Sequence, residues 1–220
     1  MIFQCNYKLP TYKRFFDIVI SIILISVLWP FFLLIVIVIK CESKGPLIFT
    51  TKRVGTGFKT FILYKFRTMH DGSATRLHFP EHRNMYECSQ NGSYKPIFIK
   101  LKDDSRVTKS GHILRNTHID ELPQLFNVLK GDISLVGNRP LEHYEVERLL
   151  AQKQTLRFLA PAGITGLWQV RQYKRQEFKE KERIMFDNFY ALKQSFCLDL
   201  YILVQTVAVL FKWKKVGKIS

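Results

Sequence analysis

The sequence is poor in cysteine, and the few cysteines it has exclude two classes of small protein. Its four cysteines lie far apart and form no C-x-x-C pair. This pattern argues against a disulfide framework and against a zinc ribbon, and it suits a reducing compartment. One group of candidate metal ligands, His78, His82 and Cys88, lacks the spacing of a structural zinc site. Internal repeats and low-complexity segments are also missing from the sequence.

Acidic side chains are scarce as well. The 220 residues hold 18 Asp and Glu against 34 Lys and Arg, which gives a formal net charge of +16. Such a charge indicates an anionic partner, which is membrane lipid, a nucleotide or nucleic acid. A basic surface that only meets solvent stays an alternative. The length allows one sizeable core, or one domain with an appendage.

The most pronounced feature present is an apolar run over residues 15–39, which is interrupted only by Asp17, Ser21 and Ser26. A run of roughly 20 or more apolar residues is typical of a membrane helix. It is too long for a secretory signal peptide and lacks the small-residue cleavage site. The sequence therefore predicts a membrane segment near the N-terminus.

Basic side chains flank this run on both sides, including Lys13 and Arg14 before it and Lys44 and Lys52 after it. The positive-inside rule then places both ends in the cytoplasm. A helix broken at Pro30 satisfies that rule if it enters one leaflet and turns back. A spanning helix with a proline kink is an equally open alternative from the residues alone.

Residues 45–220 predict a helix-rich α+β domain in the cytoplasm, with residues 1–44 as the membrane segment. The β-rich stretches 47–54 and 58–66 predict a hairpin across Gly55-Thr56-Gly57. Shorter strands are expected at 97–101 and 167–170, a short buried stretch at 134–137, and irregular structure at 70–96 and 161–166. Helices are expected at 111–116, 141–159 and 175–194. The apolar segment 198–213 ends in Trp213 among lysines, which is typical of an interfacial helix, and a core helix stays an equal alternative.

Two adjacent carboxylates, Asp120 and Glu121, open what reads as another helix. Asp120 is a good N-cap type, Pro123 fits the first turn, and Gly131 stands where the helix is expected to end. Free N–H groups at a helix start favour a carboxylate or a phosphate. Five cations lie close in sequence: Arg106, Lys109, Arg115, Lys130 and Arg139. Capping alone is the simpler alternative for Asp120.

Five motifs in order resemble the bacterial sugar transferases, the monotopic phosphoglycosyl transferases that act on polyprenyl phosphate. The resemblance runs from about Lys13 to the C-terminus. Asn138 and Ala162 depart from the usual pattern, and residues 171–175 replace a Gly-Arg-Asn-like segment. The motifs are Lys13-Arg14-x-x-Asp17, Lys65-Phe66-Arg67-Thr68-Met69, Asp120-Glu121-Leu122-Pro123-Gln124, the segment from Lys130 to Pro140, and Pro161-x-Gly163-Ile164-Thr165-Gly166.

The resemblance implies an enzyme that transfers sugar-1-phosphate from a UDP-sugar to polyprenyl (undecaprenyl) phosphate and releases UMP. Asp120 would be the nucleophile that forms an acyl-phosphate intermediate, with Mg²⁺ assisting. Glu121 would hold the metal or take a proton, and both roles stay open. The resemblance also implies that the membrane helix is re-entrant with its break at Pro30.

Charge chemistry supports this reading, because a carboxylate attacking a diphosphate needs cations to neutralise the phosphates. Mg²⁺ prefers carboxylate and phosphate oxygens, which makes Asp120 and Glu121 its candidate ligands. The candidate phosphate contacts are Lys65, Arg67, Arg115 and Arg139. Further candidates for substrate binding are Gln169, Asp187 and Tyr190, for which core or surface roles are equally open.

The resemblance further implies a bacterial inner-membrane protein that initiates surface glycan assembly. Its partners would be a UDP-sugar, polyprenyl phosphate and anionic lipid, without nucleic acid. Downstream glycosyltransferases and a second copy of the chain stay open as further partners. Two rival functions are a membrane-anchored basic module that binds anionic lipid or nucleic acid without chemistry, and a hydrolase with water as acceptor.

Overall fold

The computed structural model describes residues 7–70, 97–98, 104–172 and 179–216, and for residues 210–216 it describes the backbone alone. Its elements confirm a helix-rich α+β fold. The helices are α1 (Thr11–Glu42), α2 (Lys109–Asn116), α3 (Gln124–Lys130), α4 (His143–Ala151), α5 (Leu167–Gln172), α6 (Glu180–Lys193) and α7 (Phe196–Val216). The strands are β1 (Ile48–Val54), β2 (Thr60–Phe66), β3 (Ser134–Val136) and β4 (Gly163–Thr165).

The predicted hairpin is confirmed. β1 and β2 pair antiparallel from Ile48 opposite Phe66 to Val54 opposite Thr60, and a 3-10 turn at Thr56–Phe58 joins them. Phe61 and Leu63 on β2 point into the core, while Ile62 between them is exposed. This alternation is what a half-buried strand requires.

A second small sheet was not expected. β3 forms in the stretch 134–137, which was expected only to be buried, and β4 forms within the stretch 161–166, which was expected to be irregular. The two strands pair parallel. The two backbones approach closely here, since a Cβ on Gly163 would lie only 2.1 Å from the backbone nitrogen of Gly137. Only glycine permits such an approach of two backbones.

One strand prediction was wrong, and another is contradicted at the two residues of it that the structure describes. Residues 167–170 belong to helix α5, because a short apolar run has no periodicity that separates a buried strand from a buried helix. Ile97 and Phe98 are buried in a bend, and the rest of the stretch 97–101 lies outside the described residues. The predicted irregular segment 70–96 lies outside them as well, apart from residue 70.

The main core lies between the hairpin, α3, β3, β4 and the three C-terminal helices. It is built from buried side chains such as Leu125, Val128, Leu135, Val170 and Ile202. α7 covers this core with one face and exposes Leu200, Val204 and Val207 with the other. The predicted anchor residue Trp213 lies in the part of α7 for which only the backbone is described, so its role as an anchor stays a prediction.

The apolar run forms helix α1, which is long and apolar enough to cross a membrane by length and composition. The helix continues through Pro30 and ends at Glu42, so the re-entrant path stays a prediction. One face of α1 packs on the domain along its length, burying Asp17 and Ser21 early and Ile35 and Ile39 late. Its outer face exposes large apolar side chains: Phe15, Ile22, Ile23, Val27, Trp29, Phe31, Leu33, Leu34 and Ile37.

Candidate active site

The two carboxylates lie in the turn between α2 and α3. Residues Ile119–Glu121 form a single 3-10 turn, preceded by His118 in the left-handed conformation with φ 57°. Both carboxylates are largely buried, with exposed fractions of 7% for Asp120 and 8% for Glu121. Non-glycine residues with positive φ are uncommon and often found at functional sites, where the surrounding structure holds them.

The prediction that Asp120 caps the helix was wrong. α3 begins only at Gln124, Pro123 takes the cap position, and no side chain there caps the helix. The sequence pattern missed this because the turn at His118 displaces the helix start by three residues. The expected end is confirmed, since Gly131 closes α3 in the left-handed conformation with φ 85°.

Glu121 is paired with two cations. Its Oε1 accepts hydrogen bonds from Lys65 Nζ at 2.8 Å and from Arg139 Nη2 at 2.8 Å. Burial opposes ionisation of Glu121, but Arg139 and Lys65 outweigh it and hold the pKa of this carboxyl well below its usual range. Glu121 is therefore an anion that fixes two cations in the site.

The pKa of Asp120 is shifted in the opposite direction from that of Glu121. Its carboxylate accepts no hydrogen bond from the described part of the chain. Burial raises its pKa to about 6, the negative charge of Glu121 adds to the rise, and Lys65, Arg139 and Arg115 oppose it. A buried carboxylate without a hydrogen-bond donor and with a pKa near neutrality is a good candidate nucleophile or metal ligand.

Arg115 completes the group around Asp120. It stands in the last turn of α2, and its Nε donates to Thr68 Oγ1 at 2.8 Å. The structure thus brings together four of the predicted site residues around Asp120: Glu121, Lys65, Arg139 and Arg115.

Other predicted substrate contacts lie in different surroundings. Arg67 is buried at the end of α1, where its Nη2 donates to the carbonyl oxygen of Ser43 at 2.6 Å. The Gln169 Nε2 on α5 donates to the Ile164 carbonyl oxygen on β4 at 2.7 Å. The fully buried Tyr190 donates from its hydroxyl to Asp199 Oδ1 at 2.7 Å.

Asp187 reaches the site only through other residues. Its carboxylate forms an ion pair with Arg157 at 2.9 Å, and Arg157 Nη2 donates to the Arg139 carbonyl oxygen at 2.6 Å. The Nδ2 of Asn138 donates to the carbonyl oxygens of Arg157 and Asp187, both at 3.0 Å. This buried network supports the backbone that carries Arg139. Neither Arg157 nor its pairing was predicted, because no local pattern links residues so far apart.

Asn127 is a second residue that the sequence reading missed. It is fully buried on α3, its Oδ1 accepts from Tyr64 N at 3.0 Å, and its Nδ2 donates to the Ile62 carbonyl oxygen at 2.7 Å. The side chain thus satisfies the free edge of β2 next to Lys65. A polar residue among the apolar positions of α3 was the signal available in the sequence.

A magnesium ion fits part of this site. Mg²⁺ is usually held by one or two carboxylates together with substrate phosphates and water. Asp120 fits this role because its oxygens accept no hydrogen bond from the described residues. The Oε1 of Glu121 already accepts from Lys65 and Arg139, so direct coordination by Glu121 would compete with those ion pairs.

The comparison with protein families matches residues 8–213 to the model of the bacterial sugar transferases. The chain belongs to the bacterial sugar transferase family. The match covers the acidic pair, all four residues grouped around Asp120, and helix α1.

Curated relatives in this sugar transferase family are similar over nearly the whole chain. A "UDP-galactose-lipid carrier transferase" of Erwinia amylovora is 36% identical over 91% of this chain and 40% of its own length. An "Undecaprenyl-phosphate galactose phosphotransferase" of Salmonella typhimurium is 38% identical over 91% of this chain and 40% of its own length. The "Exopolysaccharide production protein ExoY" of Sinorhizobium fredii is 34% identical over 89% of this chain and 83% of its own length. The chain thus spans about two fifths of the length of several relatives.

Proposed function

We propose that this protein transfers sugar-1-phosphate from a UDP-sugar to polyprenyl phosphate, releasing UMP and leaving a polyprenyl-diphosphate sugar. The observation that carries the proposal is the contrast within the acidic pair. Glu121 is neutralised by Lys65 and Arg139, whereas the buried Asp120 accepts no hydrogen bond from the described residues. The names of the relatives, which include undecaprenyl-phosphate and UDP-sugar transferases, support the same reaction.

In the first step, an Asp120 oxygen attacks the phosphorus that bears the sugar. The bond from this phosphorus to the bridging oxygen breaks, and UMP leaves with that oxygen and the electron pair. The product on the enzyme is an aspartyl phosphosugar. Lys65, Arg139 and Arg115 stabilise the negative charge that builds up on the phosphates. Mg²⁺, when bound, would neutralise phosphate charge at Asp120.

In the second step, a phosphate oxygen of the polyprenyl phosphate attacks the same phosphorus. The acyl-phosphate bond breaks, and Asp120 returns as a free carboxylate. A proton on the incoming phosphate passes to solvent, because the ion pairs that lower the pKa of Glu121 also make it a weak proton acceptor. Dividing the transfer in this way predicts ping-pong kinetics.

We also propose that α1 is re-entrant in the bacterial inner membrane, with the domain in the cytoplasm. A helix of 32 residues is about 48 Å long, compared with about 30 Å of hydrocarbon. Yet both ends contact the same domain: Lys13 pairs with Asp199 at 2.5 Å, and Glu42 accepts from Ser110 N. A helix crossing the bilayer would draw the charged domain between these contacts into hydrocarbon, where charges are costly.

The reaction is tested by UMP release from a panel of UDP-sugars, with UDP-glucose and UDP-galactose first. We expect multiple turnovers only when undecaprenyl phosphate is present, and at most one UMP per protein without it. Asp120→Asn should release no UMP, and a phosphosugar adduct should form on the native protein but not on Asp120→Asn. The exposed Glu147→Gln serves as the control for loss of one carboxylate. Multiple turnovers of UMP release without lipid would indicate the hydrolase, and no release from any UDP-sugar would favour the binding module.

The topology is tested separately with single cysteines at Lys8→Cys and at the native Cys41, each in a variant without the other cysteines. We expect a membrane-impermeant thiol reagent to label both positions only after the cells are opened. Labelling of position 8 from outside intact spheroplasts would contradict the re-entrant path.

A further inference from the structure

Helix α1 contacts the two short helices on either side of the acidic pair, and it does so at their far ends. α2 has eight residues and leads into the turn with Asp120 and Glu121, while α3 has seven and leads away from it. Helices this short are not stable by themselves in water. Their orientation therefore depends on what holds their ends.

Arg14 holds the end of α3. Its guanidinium donates to the carbonyl oxygen of Val128 and, from Nη2 at 2.7 Å, to that of Leu129. The two carbonyls belong to the last turn, where helical partners are missing and a cation is favoured by the helix dipole. The same Nη2 lies 3.4 Å from the position that a Cβ on Gly131 would take, so the guanidinium covers the helix end closely.

Glu42 holds the start of α2. Its carboxylate accepts hydrogen bonds from the Ser110 hydroxyl and from Ser110 N, at 3.2 and 3.1 Å to the two oxygens. Thr108 Oγ1 accepts from Gly111 N at 2.9 Å. Glu42 and Thr108 thus each accept from a free N–H group in the first turn of α2. An anion is favoured at this end of a helix. Burial opposes ionisation of Glu42, but the hydrogen bonds from the Ser110 hydroxyl and from Ser110 N outweigh it and hold the pKa of Glu42 below its usual range.

Apolar contacts fill the space between these two polar contacts. Ile35 and Ile39 of α1 pack with Leu114 of α2 and with Phe66 at the end of β2. Phe32 lies beside Phe126 of α3 with a ring separation of 6.5 Å. One continuous helix thus contacts three elements of the site. α2 carries Arg115, β2 carries Lys65, and α3 follows the turn that holds Asp120 and Glu121.

We propose that Arg14 and Glu42 are positioning residues for the transfer reaction, because together they make α1 a brace that sets the geometry of Asp120 and Glu121. This inference rests on the function proposed above. α1 then has a second role besides membrane attachment. If either contact is lost, α2 or α3 shifts at its far end, and Asp120 shifts relative to Arg115 and Lys65.

The test compares Arg14→Gln and Glu42→Gln in the full-length protein in lipid nanodiscs. Two controls remove one charge elsewhere: Lys40→Gln in the last turn of α1 and Glu147→Gln on α4, both exposed in the native protein. We expect kcat to fall about tenfold or more in the first pair, because small misplacements of a nucleophile are costly. The KM for the UDP-sugar should change less than about twofold, since Lys65 and Arg139 remain.

Amide hydrogen exchange provides a second readout that does not depend on activity. Exchange within residues 109–130 should be faster in both brace variants, while the controls match the native protein. A brace variant with native kcat and native exchange would overturn the inference. So would a loss of kcat that is matched by release from the membrane or by a lower temperature of global unfolding, since the residues would then be merely structural. If the native protein releases no UMP, the proposed function fails, and the exchange data alone decide about the brace.

Discussion

At the scale of single residues, the site separates two neighbouring carboxylates by their surroundings. Glu121 meets Lys65 and Arg139 directly and is held ionised. Asp120 is buried to a similar extent but accepts no hydrogen bond from the described residues, and the charge of Glu121 makes its ionisation harder still. Placing adjacent acids in different environments pushes their pKa values apart, which is how enzymes assign different roles to identical groups.

The titration of Asp120 is a direct prediction. In the metal-free protein we expect its pKa to be about 6, above the usual 3.8 of aspartate. Arg115→Gln should raise the pKa further, because a cation that favours the carboxylate is lost. Glu121→Gln should lower it, because a like charge is removed while Lys65 and Arg139 remain. Carbon-13 NMR of labelled aspartate checks the native protein and both variants, with the resonance assigned by its absence in Asp120→Asn.

The raised pKa of Asp120 also predicts how the free energy of unfolding changes with pH. The folded protein binds the Asp120 proton more tightly than the unfolded chain does, so protonation favours folding. The contribution of Asp120 to the free energy of unfolding should therefore fall as pH rises from about 4 to about 6. An unfolding series in which Asp120→Asn removes this pH dependence would support the assignment, and an unchanged dependence would contradict it.

At the scale of elements, the junction between α3 and β2 depends on one side chain. Asn127 donates to or accepts from Ile62, Tyr64 and Asp132, and it is fully buried. Asn127→Ala leaves the backbone groups of β2 without partners. We expect a loss of about 1–3 kcal/mol in the free energy of unfolding and lower activity, because Lys65 follows on the same strand.

Denaturant unfolding in detergent measures this effect, with Asn188→Ala as the matched control. Asn188 is half-buried on α6 and donates a single bond, to Gln154 at 3.3 Å. We expect its replacement to cost less than about 1 kcal/mol. Equal losses in the two variants would contradict the special role of Asn127.

Local patterns predicted those elements whose signals are local. The hairpin followed from alternating residues around Gly55-Thr56-Gly57, and the end of α3 followed from Gly131. The start of α3 was missed because the left-handed turn at His118 depends on surrounding packing. α5 was misread because a short apolar run fits a strand and a helix equally.

The candidate site shows the same division. The acidic pair and three of its cations were named from the sequence, while Asn127 and Arg157 became apparent only in three dimensions. Both act through bonds to residues that are distant in the chain, and such pairings leave no spacing to read. Arg67 was named from its motif, yet the structure places it at Ser43, at the end of α1.

At the scale of the whole molecule, α1 carries more exposed large apolar side chains than any other element among the described residues. The exposed fraction is 64% for Val27 and 57% for Trp29. Buried in lipid, the outer face of α1 would attach the protein far more firmly than its positive charge does. We predict that high salt leaves the protein in the membrane fraction. Val27→Glu should weaken attachment, because a charged side chain in the middle of a membrane helix costs about 3 kcal/mol.

Alkaline extraction of membranes measures this attachment. Lys40→Gln at the end of α1 is the control, because its side chain is polar before and after the change. Release of the native protein by salt alone would show that charge rather than apolar burial holds it. The attachment assay is independent of UMP release, so it remains informative whichever sugar the protein uses.

Because α1 lies directly against α2 and α3, the lipid-embedded part of the molecule is a close neighbour of Asp120. An acceptor dissolved in the bilayer would then reach the site by moving sideways in two dimensions. Under the proposed function, the rate should follow the number of acceptor molecules per area of membrane. Adding inert phospholipid to the vesicles should slow the reaction, whereas adding buffer at saturating UDP-sugar should not. The concentration of the lipid acceptor that determines the rate is therefore its mole fraction in the membrane.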